Sequence, residues 1–484
     1  MNYPNIIRHW INGNESVSLN EDTFIKINPA TGTMLARVAL GVKEDVDKAI
    51  DAAENAYFSW GKTRAIERGK LIRKAVLLLE GANEELSEII SLECGKSLKS
   101  SLGEVEAAIE CGYFFAGEGQ RMYGKTLQSA RSTRSVELIR ESIGIGALFT
   151  PFNNPAASIA WKIFPALLCG NTVILKSHEY TPYTALFFAK IFKHAGIPDG
   201  VFNVLQGTGQ SVGIPLVSDQ RISFISFTGS SKTGADIVAR SASRLPKISI
   251  EAGGKNPAVV CVDADLPRAA DAVISGAFVD GGQRCAATSR VIVFEKVYES
   301  FKELLLAKIK KISVGTRDTD DFGAIISKER FDAIHRAILH AKHEGAKMLC
   351  GEEDFRDGTS TAGFFIKPTV FEGIAVQDEI AQTELFGPVV GLFRAKDYDE
   401  AIKLANGTQY GLSSAIHTKS IDMAHAFIRD SHAGVVRVNA ATHGSEPHMP
   451  FGGFGLSGNG FREPGEEALN FYTEWKQVSI DYFQ

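Results

Sequence analysis

From about residue 143 the chain alternates apolar runs of strand length with amphipathic runs of helix length, and this rhythm constrains the fold more than any other feature of the sequence. Strand-like runs at 143–149, 172–175, 201–205, 223–227 and 247–250 are separated by helical patterns at 156–169, 184–194, 210–217 and 232–243. Parallel strands need long crossover connections, usually helices, and strands covered on both faces read as continuous apolar runs. The pattern therefore predicts an α/β fold of βαβ units. A second series follows, with a strand at 257–262, a helix at 266–279 and a strand at 290–294, and it runs on through 298–312. The break between the two series, at Gly253-Gly254, reads as a domain junction. Two helices are expected before the rhythm begins, at 42–60 and 64–94, from apolar residues three and four apart. The final stretch, 471–483, alternates apolar and polar residues with no helix after it, the pattern of a strand reaching outward to another subunit.

Charge and cysteine usage narrow the function classes. With 52 Lys and Arg against 57 Asp and Glu, and a net charge of −5 without long like-charge runs, the chain carries no electrostatic footprint for nucleic acid or an anionic membrane. Small molecules are the expected partners. The 6 cysteines are far apart, with no C-x-x-C pair to seed a zinc site, so no metal is expected and a reducing cytoplasm is the default compartment. Asn5, Arg8, His9, Asn12 and Asn14 interrupt the N-terminus where a secretory signal needs an unbroken apolar stretch. The uncharged run 142–161 approaches membrane-spanning length, but Pro151, Asn153, Asn154 and Pro155 break it into a buried strand and a polar turn.

A doubly wound sheet invites a nucleotide, yet the G-x-G-x-x-G fingerprint is absent: Gly207-Thr208-Gly209 is followed by Gly213, one residue too late. The best glycine turn is Phe227-Thr228-Gly229-Ser230, where a strand gives way to a helix whose free N–H groups could hold a phosphate. Among the cysteines, Cys94, Cys111, Cys169, Cys261 and Cys350 sit in apolar patterns and read as structural thiols. Cys285 differs: it follows the polar turn Asp280-Gly281-Gly282-Gln283-Arg284, and Arg284 would favour its thiolate if the side chain points that way. A nucleophile and an inert loop thiol both fit this context. A nucleophilic thiolate needs a base or water activator and an oxyanion donor. Glu251, at a strand end before Ala252-Gly253-Gly254, suits the first role, or is a surface carboxylate. Asn153, in a proline-bracketed turn past a buried strand, suits the second, or is an ordinary turn residue.

Several further blocks carry a resemblance. Pro151-Phe152-Asn153-Asn154-Pro155, Trp161-Lys162, Gly170-Asn171-Thr172, Lys176 to Glu179, Phe227-Thr228-Gly229-Ser230, Glu251-Ala252-Gly253-Gly254-Lys255, Gly282-Gln283-Arg284-Cys285, Glu384-Leu385-Phe386-Gly387-Pro388 and Pro450-Phe451-Gly452-Gly453 follow one another through essentially the whole chain. In this order and at these separations the sequence resembles the aldehyde dehydrogenase superfamily.

The resemblance implies a variant Rossmann cofactor domain at 1–124 and 143–254, a catalytic domain at 255–455, and a small β oligomerisation arm at 125–142 and 468–484 of a homodimer or homotetramer. It makes Cys285 the nucleophile, Asn153 the oxyanion donor together with the Cys285 N–H, and Glu251 the activator of the water that hydrolyses a thioester. A glutamate at this position disfavours the coenzyme-A-acylating branch. Cofactor contacts are implied for Thr150, Pro151 and Phe152, for Lys176 and Glu179 at the adenosine ribose, for Phe227, Thr228, Gly229 and Ser230 at the pyrophosphate, and for Gly253, Glu384 and Phe386 at the nicotinamide end. A carboxylate at 179 accepts from a ribose 2′-hydroxyl and repels a 2′-phosphate, which favours NAD over NADP.

Phe152, Asn154, Ala252 and Asp280 depart from the residues common at their positions, and a polar Asn154 in a tunnel that is ordinarily aromatic argues against a purely hydrophobic aldehyde. Trp161 and Val279 stand where succinic semialdehyde dehydrogenases carry anion-binding arginines. The stretch from Arg437 to His448 looks like that of members acting on short oxidised semialdehydes, such as the 2-oxoglutarate semialdehyde group. Asn154, Trp161, Arg284, Arg437, His443 and His448 are thus the substrate candidates. The expected reaction is NAD-dependent oxidation of a small polar or anionic aldehyde to its acid; the alternatives are an aromatic or aliphatic aldehyde, or a non-catalytic binding protein on the same fold.

Overall fold

The computed structural model describes residues 3–351 and 363–483. Two seven-stranded sheets dominate it. The first runs in the order Lys247–Ala252, Ile222–Gly229, Ile145–Phe149, Thr172–Lys176, Phe202–Leu205, His9–Ile11, Asn14–Ser16. Its first five strands are parallel, and the last two are each paired antiparallel with the strand before. Every residue of Ile145–Phe149, Thr172–Lys176 and Phe202–Leu205 is buried. The period-two alternation of side chains sorts them to opposite faces: Val173 and Leu175 join one core cluster and Ile174 the other. The first cluster takes in the helices Pro155–Leu168 and Pro182–Ala195, and the second the apolar stripe Val46, Ala49, Ile50 and Ala53 of helix Lys43–Lys62.

The second sheet runs Lys347–Cys350, Thr369–Glu372, Val389–Ala395, Thr288–Phe294, Asn256–Val260, Ser413–His417, Val435–Val438, parallel except at its Lys347–Cys350 edge. The chain leaves the edge strand of the first sheet at Ala252 and enters the middle of the second at Asn256, so Gly253-Gly254 is where it changes sheets. A third, antiparallel sheet joins Thr473–Asp481, Arg134–Ser142 and Lys125–Gln128, paired from Thr473↔Ser142 to Asp481↔Arg134. Leu127, Ile139, Trp475 and Ile480 on it are exposed.

Topology places the cleft. From Ile145–Phe149 the next two strands build outward on one side, after which Ile222–Gly229 and Lys247–Ala252 are added on the other. The carboxyl end of Ile145–Phe149 is therefore a switch point, where a crevice opens in an α/β sheet.

Two local expectations change. The predicted helix at 64–94 is two helices, Ala65–Gly81 and Asn83–Cys94, broken at Ala82 (φ −116°). Gly81 weakens the first helix and Asn83 favours the start of a new one, while Leu79 and Leu86 still face one core across the kink. The predicted helix at 210–217 is a wide turn, Gly209–Gly213, running into the short helix Ile214–Ser218, because Thr208 caps the turn through Ser211 N (3.0 Å) and Pro215 suits a helix start. Among the described residues, no helix is long and apolar enough to cross a membrane.

Candidate active site

At the switch point Thr150, Pro151, Phe152, Asn153 and Asn154 line a cleft of about 700 Å³, and helix Pro155–Leu168 begins immediately after them with proline at its first position. The same cleft is lined by Trp161, Lys176, Glu179, Phe227, Thr228, Gly229, Ser230, Glu251, Gly253, Cys285, Glu384 and Phe386. Residues separated by up to 236 positions in sequence thus meet at the ends of strands from both sheets.

The Cys285 loop is held rigidly. After helix Leu266–Phe278 the chain passes through three consecutive left-handed residues, Asp280 (φ 54°), Gly281 (φ 65°) and Gly282 (φ 69°). A Cβ at Gly282 would stand 2.3 Å from the Gly387 carbonyl oxygen, so only glycine fits. Asp280 tolerates its backbone because its carboxylate accepts from Ser100 Oγ (2.6 Å) and Arg284 Nε (2.8 Å). Gln283 donates to the carbonyls of Asp280 (3.0 Å) and Ala324 (3.1 Å) and accepts from Ile326 N (3.0 Å). Buried Asn256 donates to the carbonyls of Cys285 (2.8 Å) and Ala287 (2.9 Å) while its Oδ1 accepts from Ser413 N (3.0 Å). The thiol is thereby anchored to the central strands of the second sheet and turned to the first.

Burial pushes the Cys285 thiol up to about 12, with the Glu384 and Glu251 carboxyls adding to the rise. The expected activation by Arg284 is not met in this arrangement. Its guanidinium is committed to Asp280 (2.7 Å), and its pull on the thiol is outweighed by those larger effects. Of the 6 cysteines, Cys285 is the one that lines the cleft among the described residues.

In the lining of the same cleft, Glu251 is 4% exposed, and neither of its carboxyl oxygens has a hydrogen-bond partner among the described residues. Burial, and then the neighbouring Glu463, raise its pKa well above the ordinary carboxylate range. Glu463 itself is fully paired, accepting from Lys162 Nζ (2.7 Å), Ser226 Oγ (2.8 Å) and Tyr472 OH (2.9 Å). Asn153 is buried beside Asn154. Glu384 accepts from Gly254 N (3.1 Å) and is raised by burial to about 7. A Cβ at Gly253 would overlap the Glu384 carboxylate at 1.9 Å. Phe386, left-handed at φ 56°, packs edge-on to Phe152 with ring centroids 5.6 Å apart.

The far end of the cleft suits a nucleotide. Lys176 Nζ lies 2.8 Å from Glu179. Burial acts to raise Glu179, but Lys176 and His178 outweigh it and hold the carboxylate at about 2. Ser230 caps helix Ser231–Ser241 by accepting from Thr233 N (3.2 Å), and both residues line the cleft, which puts the start of that helix, an end whose partial positive charge suits an anion, at the cleft wall. At Gly229 a Cβ would press into the Phe227 ring at 2.4 Å. An ionised carboxylate for hydroxyls, a helix start for phosphates and a bare glycine between them are a donor set that fits a dinucleotide.

Four substrate candidates stand outside the cleft lining: Arg284, Arg437, His443 and His448. Arg437 donates to the Gly444 carbonyl, and His443 Nε2 sits 3.0 Å from Ser275 Oγ and is pushed by burial down to about 4. His448 is exposed, 3.9 Å from Glu446. Conversely, Lys162, Glu463, Asn256 and Lys96 are buried around the site without having been predicted there. Lys162 left one signal, a lone charge in the apolar helix Pro155–Leu168; Glu463 left none, since its partner Lys162 is 301 residues away.

A cleft that brings one thiol, one unpaired buried carboxyl and a dinucleotide-shaped wall together is that of a nucleophilic oxidoreductase. The aldehyde dehydrogenase family model matches residues 16–478, and the chain belongs to that family. It is an oxidoreductase acting on aldehydes. It is 37% identical over 480 residues to an alpha-ketoglutaric semialdehyde dehydrogenase of Bacillus subtilis (98% of both chains), and 38% identical over 480 residues to retinaldehyde dehydrogenase 3 of Homo sapiens (97% of this chain and 92% of that one). Among solved structures, betaine aldehyde dehydrogenase from Staphylococcus aureus in complex with NAD+ superposes with a TM-score of 0.95 at 32% identity, covering 98% of this chain and 94% of that one.

Proposed function

We propose that this chain oxidises a small polar or anionic aldehyde of the semialdehyde class to its carboxylic acid, with NAD as the acceptor. The observation that carries the chemistry is the convergence of Cys285, Asn153 and Glu251 on one cleft. Bound NAD supplies the hydride acceptor. The Cys285 thiol gives up its proton to solvent water and the thiolate so formed adds to the aldehyde carbon; the resulting oxyanion is held by the Asn153 amide and the Cys285 backbone N–H. Loss of hydride leaves a thioester on Cys285. Glu251, with no competing partner among the described residues, takes a proton from the water that attacks that thioester, and the acid leaves with the thiolate restored.

In this reading the first sheet carries the cofactor and the second presents the nucleophile. The exposed apolar residues of the third sheet, Leu127, Ile139, Trp475 and Ile480, make it the arm through which copies of the chain associate as a dimer or tetramer. All 6 cysteines are free, which supports a reducing, cytoplasmic setting. Asn154 in the cleft and the B. subtilis relative support a polar substrate over an aromatic or aliphatic one.

A panel of semialdehydes, hydroxyaldehydes, alkyl aldehydes and aromatic aldehydes, scored by kcat/KM with NAD, tests the substrate class: semialdehydes are expected at the top. A panel headed by long alkyl or aromatic aldehydes overturns it. Glu179→Ala is expected to shrink the preference for NAD over NADP by about tenfold, since one charge-assisted hydrogen bond to a ribose hydroxyl is worth about 1.5–3 kcal/mol and the repulsion of a 2′-phosphate disappears with it. An unchanged ratio of kcat/KM for the two cofactors removes Glu179 from that role.

A further inference from the structure

Asn154 stands in the cleft beside Asn153, and its amide is gripped from behind. Lys96 Nζ lies 3.1 Å from Asn154 Oδ1. An ammonium can only donate, so the contact fixes the carbonyl oxygen of the amide toward Lys96 and turns the NH2 group away from it. Lys96 is itself immobile: its side chain is 7% exposed, Nζ donates to Glu104 Oε2 (2.7 Å), and Asp280 lies 3.9 Å off. The other oxygen of Glu104 accepts from Ala156 N (2.7 Å), in the first turn of helix Pro155–Leu168. Glu104, Lys96 and Asn154 thus form a chain of hydrogen bonds reaching from the buried face of helix Leu98–Glu118 to the cleft wall.

The two N–H donors of Asn154 Nδ2 have no partner among the described residues. An amide NH2 desolvated by a bound ligand is costly unless the ligand supplies an acceptor. The neighbouring charges give no alternative anchor, because Lys96 and Arg284 are balanced by Glu104 and Asp280, to which they are paired.

Resting on the aldehyde reading above, we infer that Asn154 is a specificity-determining residue whose Nδ2 donates to an oxygen acceptor on the aldehyde substrate, and that Lys96 and Glu104 are positioning residues that hold the amide in this orientation. Consecutive Cα atoms are about 3.8 Å apart, so donors at 153 and 154 can address a carbonyl oxygen and a second oxygen of one short substrate. The acceptor is a hydroxyl, a second carbonyl or a carboxylate oxygen; all present the same lone pairs to the amide.

The test uses the full chain and two matched pairs of aldehydes: glycolaldehyde against propanal for a neutral oxygen, and succinic semialdehyde against 4-methylpentanal for a carboxylate. The readout is the ratio of kcat/KM within each pair. In the unmodified protein the oxygenated member is expected to lead by about tenfold or more in at least one pair, which identifies the kind of oxygen. Asn154→Asp, of nearly the same shape but without donors, is expected to collapse that ratio by at least tenfold. Lys96→Met is expected to lower it too, by freeing the amide to turn, and Lys96→Arg to restore part of it. A ratio unchanged within about twofold in Asn154→Asp overturns the proposal, as does an equal loss on both members of each pair, which marks a purely structural role. Turnover of none of the four aldehydes by the unmodified chain overturns the small-polar-aldehyde reading and this inference together. Normal turnover with unmoved ratios in the variants overturns this inference alone.

Discussion

Cys285→Ala is expected to lower aldehyde oxidation by about four orders of magnitude or more while leaving NAD binding intact. The size follows from the covalent route: without the sulfur neither the thiohemiacetal nor the thioester exists, and loss of a nucleophile in covalent catalysis costs on that scale. Dinucleotide binding persists because the contacts proposed for it at Lys176, Glu179, Gly229 and Ser230 belong to the first sheet, and removing one sulfur from a cleft of about 700 Å³ leaves them in place. Titration of NAD by fluorescence quenching alongside steady-state NADH formation checks both halves. Turnover within about tenfold of the unmodified enzyme would remove Cys285 from the reaction. The same assignment predicts how the thiol reacts before substrate arrives. With burial holding its pKa at about 12, the thiolate fraction near neutrality is small and grows about tenfold per pH unit. Alkylation by iodoacetamide, scored by loss of activity, is therefore expected to accelerate by that factor per unit between pH 7 and 9.

Glu251→Gln is expected to separate the two halves of the reaction. Addition, oxyanion stabilisation and hydride loss do not use the Glu251 carboxylate, so a pre-steady-state burst of NADH close to one equivalent per active site persists. Thioester hydrolysis loses its base, and the steady-state rate after the burst falls by about 10²–10⁴-fold. The pH dependence gives an independent check with a definite sign. A general base works only when ionised, and burial together with Glu463 lifts Glu251 well above the usual carboxylate range. Hydrolysis in the unmodified enzyme should therefore fall as pH drops through that raised pKa, in a range where an exposed glutamate would still be fully charged. The limb should vanish in Glu251→Gln. A burst followed by undiminished turnover would assign the water to another group.

The contrast between what was legible and what was not follows from distance along the chain. Strand and helix runs are local, set by periods of two and 3.6, so the five parallel strands of the first sheet and the two strands of the second nearest Gly253-Gly254 are readable to within a few residues, whereas the remaining strands of both sheets are not. The Cys285 turn was readable because consecutive glycines mark a backbone that ordinary residues avoid, and Gly281 and Gly282 do occupy positive φ. The direction of Arg284 was not readable. Which of two neighbours a guanidinium chooses depends on where Asp280 is placed by Ser100, 180 residues away. The break at Ala82 is masked for the opposite reason: the apolar periodicity continues across it into one shared core, so the pattern stays helical while the backbone does not.

The sequence by itself determined the α/β class, the family and the candidate thiol, amide and carboxyl, because each rests on residue type and order. Only the tertiary structure decided the state of the site: a thiol raised by burial, a carboxyl left without partners among the described residues, and beside Asn153 a second amide, Asn154, turned by Lys96. Those depend on desolvation and on charges brought within a few ångströms from distant segments, and such proximity is created only when the two sheets close around the cleft.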